Sequence, residues 1–407
     1  MGRITSVCVT AVLLGCGGAP SAPVDPTPSS VHLIASAQSV RLVLGAASTL
    51  PVSAVDENGT PVSMTGATFT LRGHLVADVS NGGLVQALEP GADTVVVHLG
   101  EDSLAIQVEV EYPEGVTHPQ GVVAGTVALG NRPFGVAVSG SGDVLVTQLD
   151  AGTVARGLLP ATSLGTSIAV GSIPTDVTVE TDGTRAYVTN QYSSNIGVID
   201  LAGNTQVDSI AVSGNPFRVK LSPDGRSLFV TGNADSLFII DVASREITGR
   251  LAIGLDANGL AADTIGNRLY LSNQSDGTIS VVDLGSMTVT GSIQVGGHPQ
   301  ELVLSPGGTL LFVADESGSV QIWDLRENRK RGDIAVPGGA FAMAVSPDWR
   351  QLYIGSALGG AVYVIDWKAG ETLKTVTTGG TPRRIAFSRD GKVAVVANEG
   401  GWVNYIN

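Results

Sequence analysis

The side chains best suited to bind a polar ligand recur at one position of an internal repeat. The repeat units begin at Pro133, Pro174, Pro216, Ala257, Pro299, Ala340 and Pro382. Two residues after that start, four units have a charged side chain, and these are Asp176, Arg218, Glu301 and Arg384. Two residues further on, the third unit has Lys220 where the other six have Ala, Thr or Val. Carboxylate, guanidinium and ammonium groups at one level can hold an anionic or hydroxylated ligand through charged hydrogen bonds.

Two interpretations of these charges stay open. The first is a polar pocket at the mouth of a central channel, with His298 and Arg383 beside it. The second, which we favour, is a set of salt bridges between adjacent units, for instance between Asp176 and Arg218, because a buried charge is costly unless it is paired. We predict ligand binding by Asp176, Arg218, Lys220, Glu301, Arg384, Tyr192 and Trp402.

Aromatic residues accompany the charges. Phe134, Phe217 and Phe341 directly follow the first residue of their units. We expect them to pack beneath the loops, and the alternative is that they stack on a sugar or a planar cofactor. Tyr192 and Trp402 lie in loops between the second and third predicted strands, which makes them better candidates for exposed ligand contacts.

The sequence contains no pattern typical of a metal or cofactor site. Its five histidines are scattered, at positions 32, 74, 98, 118 and 298. No spacing matches a zinc or haem motif, and there is no phosphate-binding glycine loop or nucleophile elbow. We therefore expect no metal and no cofactor.

The repeat itself predicts the architecture. Units of about forty residues with four short strands each are typical of a β-propeller, in which each sheet buries its faces only against its neighbours. In one unit the strands read "FRVKLS", "SLFVTG", "LFIID" and "GRLAIG", with the turn "PDGR" after the first. Seven units begin in this way, and the last stops after its third strand. Residues 126–130 are therefore predicted to supply the missing strand, so that the ring has no free edge.

The repeats resemble the YVTN family of seven-bladed propellers. The resemblance covers residues 121–407 and includes "YVTN" at residues 187–190, "SPDG" at 222–225 and a strand that ends in Asp. That aspartate occurs at Asp200, Asp241, Asp283, Asp324 and Asp366, where it is expected to cap a turn. Seven-bladed relatives include lactonases, whose sites use acidic residues, Arg and His around the channel. The resemblance thus implies an alternative function as a sugar-lactone hydrolase, with Glu301 or His298 as the base.

Residues 31–112 have a different pattern of short alternating strands with Gly-, Asn- and Asp-rich turns. Their order resembles the bacterial Ig-like domain of group 2, which implies a small β-sandwich that acts as a spacer or, alternatively, as an adhesive module. Residues 113–120 are interpreted as a linker. The predicted fold class is all-β, a seven-bladed β-propeller preceded by an Ig-like β-sandwich.

The first thirty residues predict export and anchoring. Arg3 precedes a short apolar run from Ile4 to Leu14, and Gly15 and Cys16 follow it. The segment "LLGC" resembles the bacterial lipobox, in which the cysteine becomes lipidated. Residues 1–15 are thus a predicted signal peptide, Cys16 a predicted lipidation site, and residues 16–30 a Pro-rich linker. The expected location is the periplasmic or cell-surface side of a membrane, to which the lipid holds the protein.

Charge and composition narrow the partners. The net charge of −14 disfavours nucleic acid as a partner, because such a surface repels phosphate backbones. The sequence favours a non-enzymatic, lipid-anchored binding module of the cell envelope, with a protein, a polysaccharide or a small polar ligand as its partner. A lactonase-like enzyme is the alternative, and a purely structural envelope protein is the second alternative.

Overall fold

The computed structural model describes residues 31–73, 76–160, 162–232, 235–263 and 266–407. These residues form strands and turns and include no helix. Among them, accordingly, no helix is present that is long and apolar enough to span a bilayer. The predicted signal peptide, Cys16 and the Pro-rich linker lie outside the described residues.

The first ten strands form three small sheets around one core. They are β1 (His32–Ala35), β2 (Ser39–Val43), β3 (Ala47–Thr49), β4 (Val52–Val55), β5 (Pro61–Val62), β6 (Thr68–Leu71), β7 (Ala77–Val79), β8 (Leu84–Ala87), β9 (Gly91–Leu99) and β10 (Asp102–Glu111). The sheet orders are β1-β4-β5, β2-β10-β9-β6 and β3-β8-β7. Alternation along β9 and β10 puts Val95, Val97, Ile106 and Val108 in the shared core, because successive side chains of a strand point to opposite faces.

The rest of the described chain forms seven four-stranded sheets, which we call blades. Blade 1 comprises β12 (Pro133–Val138), β13 (Asp143–Gln148), β14 (Thr153–Leu158) and β15 (Thr166–Ala169). Blade 2 comprises β16 (Pro174–Val179), β17 (Arg185–Asn190), β18 (Asn195–Asp200) and β19 (Thr205–Ala211). Blade 3 comprises β20 (Pro216–Leu221), β21 (Ser227–Gly232), β22 (Ser236–Asp241) and β23 (Ile247–Ala252). Blade 4 comprises β24 (Ala257–Asp263), β25 (Arg268–Asn273), β26 (Thr278–Asp283) and β27 (Thr288–Gln294).

Blade 5 comprises β28 (Pro299–Leu304), β29 (Leu310–Asp315), β30 (Ser319–Asp324) and β31 (Arg329–Ala335). Blade 6 comprises β32 (Ala340–Val345), β33 (Gln351–Ser356), β34 (Ala361–Asp366) and β35 (Glu371–Thr377). Blade 7 comprises β36 (Pro382–Phe387), β37 (Ala394–Asn398), β38 (Trp402–Ile406) and β11 (Val123–Ala128). The repeated four-stranded sheets are those of a β-propeller.

Adjacent blades share apolar cores. One core joins Tyr187 and Ile196 of blade 2 to Val230 and Phe238 of blade 3, all of them buried. This arrangement explains the "YVTN" segment of blade 2, whose tyrosine and valine lie in such cores. Its threonine, Thr189, accepts a hydrogen bond of 2.8 Å from the backbone N–H of Asp176, where β16 bulges. The segment therefore serves the scaffold.

The turns follow the local chemistry of the sequence. In blade 2, Asp200 Oδ2 accepts a hydrogen bond of 2.6 Å from the backbone N–H of Gly203, and in blade 3 Asp241 Oδ1 accepts one of 2.7 Å from Ser244. The "SPDG" turn places Gly225 at a φ of 71°, a conformation that glycine adopts without strain. The strand-ending aspartates cap turns, as the sequence indicates.

Blade 7 joins the two ends of the repeat region. β11 pairs antiparallel with β38, with Val127 opposite Val403, and Asn404 Nδ2 donates a hydrogen bond of 3.0 Å to Thr126 Oγ1. The apolar core at this point contains Val144 of blade 1 together with Tyr405 of blade 7. Blade 1 is thereby packed on a complete sheet.

The propeller has two different faces. The turn face carries the turns between the first and second strands and between the third and fourth strands of each blade. The loop face carries the loops between the second and third strands and the connections between blades. The N-terminal strands dock on the turn face of blades 5 and 6, where Thr309 Oγ1 donates a hydrogen bond of 2.6 Å to Glu89 and Lys368 Nζ donates one of 2.7 Å to the Pro90 carbonyl.

Residues 113–120, interpreted as a linker, also lie against the propeller. His118 Nδ1 lies 2.7 Å from Asp348 Oδ2, and Tyr353 donates a hydrogen bond of 2.8 Å to the Pro119 carbonyl. The Arg350 guanidinium lies 4.5 Å from the centre of the Tyr112 ring, a cation–π contact. The N-terminal unit is therefore fastened to the turn face by the linker as well as by its own loops.

Deleting residues 126–130 is expected to destabilise the whole propeller. The deletion removes the last three of the six residues of β11, so β38 loses the pairing of Trp402, Val403 and Asn404 and blade 1 loses part of its packing. Thermal unfolding should show a melting temperature lower by several degrees. Thr126→Ala, which removes one side-chain hydrogen bond and keeps the strand, should cost only about 1 kcal/mol. Equal melting temperatures for the deletion and the wild type would contradict this role of β11.

Glu89 should make the docking of the N-terminal unit dependent on pH. Its carboxyl is buried, and this burial raises its pKa above the ordinary value of 4.5. The native state then binds a proton more tightly than the unfolded state, so stability falls as pH rises from about 4.5 through the native pKa. Glu89→Gln is therefore expected to raise the melting temperature at pH 7, by an amount that shrinks toward pH 4.

The measurement is thermal unfolding of both proteins between pH 4 and 8. Glu57→Gln, at an exposed turn position, is the matched control and should have no such effect. A difference between the Glu89→Gln variant and the wild type that is the same at every pH would show that ionisation of Glu89 is not the cause.

Candidate ligand channel

The inner strands of the blades bring the predicted charges together around the propeller axis. The Arg218 guanidinium on β20 lies between two carboxylates, 3.4 Å from Asp176 Oδ1 and 2.6 Å from Glu301 Oε2. Asp176 also accepts a hydrogen bond of 3.1 Å from the backbone N–H of Val219. All three side chains are buried, and Asp176 pairs with Arg218 on the adjacent blade in the way the second interpretation supposes.

Arg384 completes this group of charges, which we call the charged ring (Asp176, Arg218, Glu301 and Arg384). Its Nε lies 3.8 Å from Glu301 Oε2, and its terminal nitrogens donate to the Asn258 side chain at 3.2 Å and to the Arg383 carbonyl at 2.8 Å. Burial and the nearby Arg218 guanidinium lower the pKa of Arg384 to about 9. Arg384 thus remains a cation at neutral pH.

A cluster of phenylalanines closes the channel above the charged ring. Phe134 packs edge-to-face on Phe217 at 5.8 Å and on Phe341 at 6.3 Å between ring centres. Arg384 lies 5.3 Å from the Phe341 ring centre and 5.5 Å from that of Phe134, in cation–π contact with both. The expected charged channel mouth with His298 and Arg383 beside it does not form, because on the loop face three aromatic side chains from separate blades cover the ring.

The channel opens instead on the turn face. A cavity of about 900 Å³ extends from the charged ring to the first turns of the blades, and its rim includes Ser139, Thr181, Pro306, Trp349 and Arg389. This volume is within the usual range for small-molecule sites. The charged ring is the floor of the channel, and the turn-face opening is its mouth.

Lys220 projects into this cavity and stands apart from the ring. Its Nζ donates one hydrogen bond of 3.2 Å, to the Leu260 carbonyl, and the side chain is exposed to the lumen. In the described part of the chain, no carboxylate oxygen lies within the 4.0 Å salt-bridge distance of this nitrogen. Although water reaches the lumen, the channel walls displace much of the solvent, and this desolvation lowers the pKa of Lys220 despite the opposing effect of Glu301.

The other predicted site residues lie elsewhere. Tyr192 is 71% exposed on the loop face, and His298 is exposed on the same face. Trp402 is half-buried, and its Nε1 donates a hydrogen bond of 3.1 Å to the Thr378 carbonyl. Arg383 pairs with Glu399 and stacks over Phe341. The structure therefore assembles Asp176, Arg218, Lys220, Glu301 and Arg384, and leaves Tyr192, Trp402 and His298 outside the channel.

Sequence reasoning missed two buried amides that support the ring. Asn258 and Gln300 follow the first residue of blades 4 and 5, and Asn258 Nδ2 donates to Gln300 Oε1. Gln300 Nε2 in turn donates a hydrogen bond of 2.7 Å to Glu316. The sequence does contain a signal for these amides, because both occupy the repeat position that holds phenylalanine in three other blades.

The described residues contain no group of three or more His, Cys, Asp or Glu side chains that could hold a metal ion. The fold and the channel together define a β-propeller with a central cavity open at one end. A comparison with protein families finds no matching family model.

Several curated relatives match part of the chain. Protein groucho of Drosophila melanogaster is 29% identical over 190 residues, which are 44% of this chain and 26% of that protein. Uncharacterized protein YncE of Salmonella typhi is 27% identical over 173 residues, which are 41% of this chain and 48% of that protein. The chain thus spans about half the length of YncE and about a quarter of groucho.

Among solved structures, hydrazine synthase of Kuenenia stuttgartiensis superimposes with a TM-score of 0.63 at 19% identity. The match covers 73% of this chain and 99% of that chain. At this identity the likeness shows the fold alone.

Arg218→Ala is expected to destabilise the propeller strongly. The substitution leaves Asp176 and Glu301 as buried carboxylates without their main partner, and breaking a buried ion pair in this way costs about 3–5 kcal/mol. Arg226→Ala, at a highly exposed position of the same blade, should change stability by less than about 0.5 kcal/mol. Urea unfolding of both variants measures the difference, and equal midpoints would refute the role assigned to Arg218.

Proposed function

We propose that this protein is a non-enzymatic binding module whose propeller takes a small polar ligand through the turn-face mouth of its central channel. The observation that carries the proposal is the cavity of about 900 Å³, closed at one end by Phe134, Phe217 and Phe341 and open at the other. A concave site with few, fixed polar groups at its floor is the usual form of a small-molecule site. The propeller relatives support a binding role at the level of the fold.

The alternative, a sugar-lactone hydrolase, has less support from the geometry. A general base must reach the proton that it abstracts, so the catalytic groups must share one cavity. Glu301 is buried at the channel floor with its Oε2 2.6 Å from Arg218, whereas His298 is exposed on the opposite, closed side. Glu301 Oε2 is also engaged by the Arg218 guanidinium and lies 3.8 Å from Arg384 Nε, so this oxygen is not free to take a proton from a substrate.

We further propose the setting in which the module works. The repeats are assigned to the YVTN family on their motifs, and residues 31–112 to an Ig-like sandwich that acts as a stalk. Cys16, after its short apolar run, would carry the lipid that anchors the protein on the periplasmic or cell-surface side of a membrane. These assignments rest on the sequence patterns.

A protein or polysaccharide partner would use a different surface. On the loop face, Tyr192 is 71% and Leu358 is 88% exposed, and both lie in loops between second and third strands. Such side chains can contact a macromolecule that does not enter the channel. A bulky substitution in the channel distinguishes the two, because it should block a channel ligand and leave a partner on the loop face unaffected.

A bulky side chain in the channel should abolish ligand binding. The test uses thermal unfolding of the full-length chain with sugars, a sugar lactone, citrate and inorganic phosphate. A ligand at one hundred times its dissociation constant stabilises the native state by about 2.7 kcal/mol. Ala344 is a half-buried residue of the cavity lining, next to Met343, so the indole of Ala344→Trp should fill part of the cavity. We expect at least one probe to stabilise the wild type but not this variant.

Ala211→Trp, at an exposed position of the outer strand β19, is the matched control and should bind as the wild type does. A probe that stabilises the wild type and Ala344→Trp equally would contradict binding in the channel. The absence of any stabilising probe would favour a macromolecular partner or a structural role instead. Turnover of the lactone that Glu301→Gln abolishes would make the protein an enzyme.

A further inference from the structure

The charges at the channel floor do not balance, and the surplus is positive. Within the described part of the chain, Arg218, Arg384 and Lys220 face two carboxylates, Asp176 and Glu301. Both carboxylates are already engaged by guanidiniums. Among the described residues, the buried Nε atoms of Arg218 and Arg384 have no hydrogen-bond acceptor. The floor therefore has more donors than acceptors.

Lys220 is the cation that this imbalance leaves without an anionic partner. An ammonium has three N–H donors, and within the described chain one of them is used, on the Leu260 carbonyl. A cation held in a desolvated space is unfavourable unless an anion or water compensates it. Two donors of Lys220 thus remain for a group in the cavity.

The residues at the level of Lys220 leave room for that group. At the equivalent position, blades 1, 2, 5, 6 and 7 have Ala137, Thr178, Val303, Ala344 and Ala386, respectively. All five line the cavity and are partly exposed to it. The lysine is therefore the one charged side chain at a level of small side chains, and the space in front of its ammonium is part of the cavity.

The acidic groups nearer the rim are occupied elsewhere. Glu180 accepts hydrogen bonds of 2.5 Å from the Tyr187 hydroxyl and 3.0 Å from Thr184. Asp263 accepts one of 2.9 Å from the backbone N–H of Gly266. The charges that act on Lys220 are those of Glu301, Arg218 and Asp176 in the ring.

We propose that Lys220 anchors a small organic anion, a carboxylate or a phosphate ester, in the channel, with its charged group against the ammonium and its body along the small apolar side chains of the wall. This inference rests on the proposed function, because it names the ligand class of the same channel. A lysine suits either anion, since it acts as a point charge and does not require the paired geometry that a guanidinium prefers.

The test measures the affinity of the full-length chain for citrate and inorganic phosphate by calorimetry, at constant ionic strength maintained with chloride. Lys220→Met removes the charge and nearly keeps the length of the side chain, and Lys220→Arg restores a cation. We expect Lys220→Met to weaken binding of at least one probe by about 10- to 100-fold, as the loss of a charged hydrogen bond implies. Lys220→Arg should recover part of the affinity.

Lys392→Met is the matched control, because Lys392 is an exposed lysine on a turn of blade 7 and should leave the affinity unchanged. A second readout needs no change of sequence: in a sample with methyl-labelled lysines, the Lys220 signal should titrate below those of exposed lysines. Saturation with the probe should raise its pKa, because a nearby anion favours the charged form.

The outcomes distinguish the two proposals. Equal affinity in the wild type and Lys220→Met, with binding lost in Ala344→Trp, would overturn the role of Lys220 and leave the channel as the binding site. Binding of a neutral sugar in place of both anions would have the same meaning. Affinity for the anions that survives in Ala344→Trp would overturn both proposals, and so would a wild type that binds none of the anions, sugars and lactone tested.

Discussion

Each blade of the propeller has two apolar faces, and no blade can bury both without a neighbour on each side. The cores show this directly, since Tyr187 of blade 2 packs with Phe238 of blade 3, and Val144 of blade 1 packs with Tyr405 of blade 7. A row of such sheets would leave an apolar face exposed at each end. Only a closed ring removes both, and it does so through the pairing of β11 with β38.

Closure of the ring creates the channel and decides which side chains face it. Each inner strand presents the same positions to the axis, so residues far apart in sequence meet there at one level. Arg218 and Glu301 belong to blades 3 and 5, yet their side chains lie 2.6 Å apart. Because that level is closed on one side by phenylalanines, the charges there must compensate one another. Lys220 is the cation for which no carboxylate partner remains among the described residues.

The position of the N-terminal unit bears on access to the channel. Glu89 and Pro90 contact blades 5 and 6 on the turn face, the same face on which the channel opens. Gly307, in the first turn of blade 5, lies so close to Leu88 that an added Cβ would approach Leu88 Cβ to 2.3 Å, and its neighbours Pro306 and Gly308 line the rim. The same turns thus form both the docking surface and part of the mouth.

Local features followed from the sequence because they depend on neighbours in the chain. The strands, the glycine of the "SPDG" turn and the aspartates that cap turns, such as Asp200 and Asp241, are set by short-range geometry that repeats from unit to unit. The charged residues that share the repeat position of Arg218 could be predicted from the sequence for the same reason. The amides Asn258 and Gln300 occupy the repeat position of Phe134, and at that position the sequence pattern indicated the aromatic residues alone.

The tertiary structure decided which end of the channel is open and which charges are free. Phe134, Phe217 and Phe341 come from blades 1, 3 and 6, and they meet only when the ring is closed, so no pattern within one unit could place them over the ring. The contacts of Arg218 with Glu301 and of Arg384 with Asn258 likewise join blades that are not adjacent. By itself the sequence determined the repeat and the residue types that face the axis. The distances between them depend on the number of blades and on their curvature around the ring, and they leave the Lys220 ammonium without a carboxylate partner among the residues that the structure describes.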